Sequence, residues 1–86
     1  MRGESYYMLS FQSTHSAMAA QALLRERLRV CVMPTLRQVS ASCGISLRME
    51  EGDGAAFLRL AEAGFYRISP STLYHVGETV ESVREF

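Results

Sequence analysis

Residues 45–49, IleSerLeuArgMet, decide the fold. Ile45, Leu47 and Met49 fall on one side of an extended chain and Ser46 and Arg48 on the other, the pattern of a strand with one wet face. Toward the N-terminus, Val30 to Met33 (ValCysValMet) is a short β-branched run, closed by Pro34, which lacks a donor for a sheet ladder. Between the two runs, Thr35 to Ser42 admits two readings: an irregular loop, or one helical turn starting after Pro34. In the second, Arg37, Ser40 and Cys43 stack on one side. Further back, His15 to Arg29 is helical in composition. Ala17, Ala20, Leu24 and Leu28 share its buried face, and Ser13 or Thr14 offers the N-cap. Small alanines on that face let a helix lie close to a sheet. Tyr6 to Phe11 (TyrTyrMetLeuSerPhe) reads as a buried strand.

Toward the C-terminus, GluGluGlyAspGly is a turn, with Asp53 as the expected N-cap of a second helix. Phe57, Leu60 and Ala61 form its buried stripe, and Gly64 before Phe65 is the expected stop. Phe65 to Ser69 reads as a last strand ended by Pro70. The order β-α-β-β-α-β predicts an α+β, ferredoxin-like domain: a four-stranded antiparallel sheet with two helices on one face. Residues 1–86 are expected to form a single domain with its core over about 6–69 and a C-terminal extension over 70–86. In that extension Leu73 to Val76 could add a short strand, and Val80, Val83 and Phe86 have helical spacing.

The chain has 86 residues, nine basic and nine acidic, for a formal net charge of zero. No basic stripe of the kind nucleic-acid binding needs is present. All nine basic residues are arginine, so no lysine is available for Schiff-base chemistry. No stretch approaches the ~20 apolar residues of a membrane helix, and the start lacks the apolar segment of a secretory signal. Two cysteines, Cys31 and Cys43, are too few for a disulfide framework. The expectation is a cytoplasmic protein with reduced thiols. Zero net charge and an uncovered sheet face leave a homodimer open.

Cys31, inside an apolar run, reads as a small buried hydrophobe. Cys43 differs: it ends a polar loop, SerAlaSerCysGly, just before a strand. Gly44 allows a tight backbone beside it, and Arg37 and the hydroxyls of Ser40 and Ser42 are near in sequence. A cation and hydrogen-bond donors favour the thiolate, the reactive form. The bland alternative has Cys43 packed beneath its loop. A Cys31–Cys43 disulfide is a further option, against which a reducing compartment argues. His15 and His75 are far apart in sequence, and no CxxC or HxxxH spacing exists, so no metal site is expected. Glu50, Glu51 and Asp53 read as a solvated loop. Of Tyr6 and Tyr7, one belongs to the core by alternation. No phosphate loop or dinucleotide motif appears.

Three features resemble the selenium/sulfur carrier protein-like family of small bacterial domains. They are the opening strand entering a helix through Ser13 to Ala17, the segment Pro34 to Met49, and the apolar strand that ends it. Pro34 to Met49 is similar to the family's pattern Pro-x-Pro-Arg-x-Ile/Val-Ser-x-x-Cys-Gly, with Leu36 standing where the second proline is usual. The resemblance covers roughly Tyr6 to Ser69. It implies that Cys43 is the carrier thiol, with Arg37 and Ser40 as matching neighbours and Gly44 as backbone hinge. It further implies a stoichiometric carrier rather than a turnover enzyme, needing no cofactor. The partners implied are a cysteine desulfurase-like donor and an acceptor protein. A non-catalytic ferredoxin-like binding or dimerisation module and a redox-sensing thiol domain are the rival functions.

Overall fold

The computed structural model describes residues 5–39 and 44–86. Seven elements follow in order: β1 (Tyr6–Phe11), α1 (Thr14–Leu24), β2 (Cys31–Pro34), β3 (Ile45–Met49), α2 (Glu51–Glu62), β4 (Ser71–Val76) and β5 (Val80–Glu85). The strands form one sheet in the order β2-β3-β1-β4-β5, every neighbouring pair antiparallel. The α+β class holds, but the sheet has five strands, not the four of the expected ferredoxin-like arrangement. The fourth strand also comes from a different stretch. Phe65–Ser69 is irregular, and Ser71–Val76 takes the place beside β1, pairing from Phe11↔Ser71 to Tyr6↔Val76. Residues 70–86, expected as an extension, thus supply two strands.

The apolar side of β3 faces the core as expected, but Ser46, expected on the wet face, is fully buried and bonded to Thr35. Leu47 and Met49 join Leu9 and Phe11 of β1 and Leu73 of β4 in one buried cluster with Ala17, Ala20 and Leu24 of α1 and Phe57 and Ala61 of α2. Both helices therefore cover the same face of the sheet.

Helix α1 starts where the sequence places it: Ser13 is the N-cap and its hydroxyl accepts the Ser16 N–H at 3.1 Å. It ends earlier than Arg29. Beyond Leu24 the charged residues Arg25, Glu26 and Arg27 stay in solvent, and a turn closed by the Leu28 N–H on the Leu24 carbonyl (2.8 Å) carries Leu28 into the core. The Arg27 guanidinium lies 4.5 Å over the Phe65 ring, a cation–π contact.

Helix α2 begins at Glu51, with Glu50 as an N-cap whose side chain makes no capping bond. The expectation for Asp53 is corrected: it lies inside the first turn, where its carboxylate accepts the Arg29 backbone N–H at 3.3 Å. The C-terminus stops as read. Gly64 takes φ +87°, the Phe65 N–H reaches the Leu60 carbonyl at 2.9 Å, and the Gly64 N–H reaches Ala61 at 3.0 Å. Those two bonds make a Schellman motif around a left-handed residue that glycine adopts freely.

Three rings lock the end of the domain. Phe57, Tyr66 and Phe86 meet edge to face with centroids 4.9–5.5 Å apart, the arrangement their quadrupoles favour. The Ser71 hydroxyl donates to the Ile68 carbonyl at 2.8 Å, so the buried Tyr66 hydroxyl donates to Ser71 Oγ, also at 2.8 Å. Burial opposes ionisation and pushes the Tyr66 phenol up to about 12. The unfolded phenol titrates near 10. Folding therefore holds this proton more tightly, and the associated stability is complete below pH ~10 and lost as pH rises toward ~12. Thermal midpoints measured from pH 9 upward should fall across that window. Tyr66→Phe should make the fall shallower, and an unchanged slope would show that Tyr66 does not control it.

Candidate functional site

Pro34 and Ile45 are the last register pair between β2 and β3, and the Thr35 N–H extends the pairing by donating to the Gly44 carbonyl at 3.0 Å. This bond is the neck of the loop singled out in the sequence. Beside it Thr35 Oγ1 and Ser46 Oγ share a hydrogen bond of 2.6 Å. Gly44 fits the neck tightly, since a Cβ there would lie 3.2 Å from Thr35 Oγ1. In the described part of the loop, residues 37–39 turn, with the Val39 N–H on the Leu36 carbonyl at 3.0 Å. This favours a turn after Pro34 over an irregular path for these residues.

Of the sequence-predicted site residues, Arg37 is exposed on this turn and Gly44 is half-buried at the neck. Ser40 and Cys43 lie outside the described residues, as does Ser42.

A cavity of about 390 Å³ opens beside the neck. Gly44, Thr35 and Val39 form its loop side, and Pro70 and Phe11 give apolar wall. Ser10 and Gln12 at the end of β1, and Ser71, Thr72 and Tyr74 of β4, supply polar groups. The volume is that of ordinary small-ligand sites. Sequence reading did not assemble this set. Its β4 half comes from a strand placed elsewhere, and single hydroxyl residues in separate strands leave no motif.

The two cysteines also separate. Cys31, expected to be buried, is an exposed free thiol. β2 is an edge strand, so the ValCysValMet run has only one neighbour, and Val32 is exposed as well. Cys31 pairs across the sheet with Arg48, whose guanidinium stacks 4.1 Å over the Tyr6 ring and bonds Glu50 at 2.9 Å.

A second polar group gathers at the other end of β1. Glu51 accepts the Ser5 hydroxyl and pairs with His75 Nε2 at 2.9 Å. The Ser5 hydroxyl first, and His75 second, hold the Glu51 carboxyl below its usual range. The His75 ring meets Tyr7 edge to face at 4.9 Å. Tyr7 is thus the core member of the tyrosine pair, and Tyr6 lies half-buried on the opposite face beneath Arg48. His15 is exposed on α1, far from this group in sequence. Among the described residues no group of three or more His, Cys, Asp or Glu side chains could hold a metal ion. No helix among them is long and apolar enough to cross a membrane.

Comparison with known proteins gives one result. The model of a family described as "Putative Se/S carrier protein-like" matches residues 6–75. No curated protein and no solved structure was found to match.

Proposed function

Because the chain belongs to the Se/S carrier protein-like family, matched over residues 6–75, we propose that it carries sulfur or selenium on Cys43 between a donor and an acceptor protein. The carrying observation is that match, which spans the whole segment Pro34 to Met49 in which Cys43 precedes Gly44. We read β1 to β4 as a ferredoxin-like unit extended by β5 at its edge. The loop then follows an edge strand at one end of the sheet, where a partner can approach it.

The chemistry is redox-neutral exchange. The Cys43 thiolate attacks the terminal sulfur of a donor persulfide such as that of a cysteine desulfurase. A new S–S bond forms at Cys43, the donor's S–S bond breaks, and the donor leaves as thiolate. The acceptor's thiolate repeats the step and returns Cys43 to its thiolate. Arg37, the cation of the same loop, favours the anionic thiolate and perthiolate, and Ser40 and the Gly44 amide are their hydrogen-bond donors. No resident cofactor enters these steps. A reduced resting thiol suits the cytoplasm.

The test is intact mass after incubation of the reduced protein with a cysteine desulfurase and cysteine. The chain should gain one sulfur atom, removable by reductant. Cys31→Ser should still load, whereas Cys43→Ser should not. Both controls are needed, since Cys31 is exposed. Loading that survives Cys43→Ser and disappears with Cys31→Ser would overturn the assignment. No loading of a Cys43 thiol that alkylates readily would overturn the desulfurase as donor.

A further inference from the structure

The cavity beside the loop neck carries three polar groups that the fold leaves unused. Ser10 Oγ donates to the Thr72 carbonyl, Thr35 is bonded to Ser46, and Ser71 is bonded to Tyr66 and Ile68. The side chains of Gln12, Thr72 and Tyr74 make no hydrogen bond with any described residue, and all three line the cavity. Between them they offer an amide and two hydroxyls, each able both to donate and to accept. Phe11, Val39 and Pro70 add apolar wall. None of the described residues that line it is charged.

That set discriminates by charge. A free amino acid or short free peptide carries an ammonium and a carboxylate, and enclosing either without a partner is costly. A residue inside a polypeptide carries only neutral amides, which Gln12 can pair reciprocally while the two hydroxyls take the next groups. The cavity holds on the order of a dozen water-sized groups, about the heavy atoms of one residue with both flanking amides.

We propose that this cavity receives an internal, uncharged peptide segment of the acceptor protein, and thereby presents that protein's thiol to the carrier loop. The proposal rests on the carrier reading for the identity of the partner. Recognition itself requires only the lining described. Zwitterionic thiols such as free cysteine are poor occupants.

The probe is N-acetyl-S-methylcysteine N-methylamide, which mimics a cysteine within a chain and cannot exchange sulfur. It is titrated into the full Cys43→Ser chain and followed by amide chemical shifts. Saturable shifts should concentrate on Ser10 to Gln12, Thr35, Gly44 and Thr72 to Tyr74. Free S-methylcysteine should bind at least about tenfold more weakly. Tyr74→Phe and Gln12→Ala should each weaken the blocked probe severalfold without changing the thermal midpoint. Absence of saturable shifts at these residues, or equal binding of the zwitterion, would overturn the proposal. Sulfur loading of the natural chain is read independently by mass, so failure of the cavity and failure of the carrier remain distinct results.

Discussion

Phe57→Ala should remove a large share of the stability of this domain. Phe57 is wholly buried and is the ring on which Tyr66 and Phe86 both rest, at 4.9 and 5.5 Å. Truncating a buried phenylalanine loses its transfer energy and leaves a cavity, together about 3–5 kcal/mol. A domain of 86 residues has a total stability of about 4–13 kcal/mol. The loss should appear as a large drop in the denaturant midpoint, together with early release of the C-terminal residue Phe86. If the alanine variant does not fold, Phe57→Leu keeps the measurement possible, with a smaller loss of the same sign. A loss below about 1 kcal/mol for Phe57→Ala would show that the three-ring contact does not anchor the end of the chain.

The second large effect comes from the opposite change, adding atoms. A Cβ at Gly54 would fall 2.0 Å from Tyr7 Cδ2 and 2.5 Å from Cγ. The clash is with the root of the ring, which no side-chain rotation near its tip relieves. His75 meets Tyr7 edge-on and limits its retreat. Gly54→Val should therefore cost about 3 kcal/mol through overpacking, although glycine is the poorer helix former. Gly52 supplies the control in the same helix, because a Cβ there meets nothing within 4 Å. Gly52→Val should be close to neutral by denaturant unfolding. Equal effects at the two positions would mean that backbone propensity, not the approach of α2 to β1, sets the response.

These two residues also show what local sequence can and cannot reveal. Phe57 lies on a helical stripe, and Ala17, Ala20 and Leu24 share a helix face, so periodicity identifies them without knowledge of the fold. Ser13 and Gly64 act through chemistry with their immediate neighbours and are equally legible. Gly54 is different: its need for a bare Cα comes from Tyr7, on another element. The misplaced fourth strand has a similar cause. PheTyrArgIleSer has strand composition, but Phe65 completes the α2 stop, Tyr66 fills the aromatic cluster, and Arg67 bonds back to the Gly64 carbonyl. Local hydrogen bonds and packing claim these residues before a sheet can.

The spacing of Val80, Val83 and Phe86 misleads for a more specific reason. Tyr74 pairs with Ser82 while Leu73 pairs with Arg84, so Val83 is an extra residue, a β-bulge. A bulge inserts one position into the two-residue alternation and produces a spacing of about three. Cys31 departs from its expected burial because composition does not distinguish an edge strand from a central one. In the site, Cys43 and its neighbours stand out by motif. The cavity beside them does not, since Gln12, Thr35, Thr72 and Tyr74 are brought together only by the order of the strands.

That order has a consequence for how the protein is made. β1 sits at the centre of the sheet, yet its partners are β3 and β4, and Tyr6 waits for Val76. Pairings so distant along the chain must close long loops before they are rewarded, which makes folding slow compared with helical bundles. During synthesis the aromatic first strand emerges well before either neighbour. For that interval it presents two unsatisfied edges and the apolar side chains of Leu9 and Phe11, a template for pairing with another chain. The nascent protein is therefore most prone to aggregate before its β4 residues leave the ribosome.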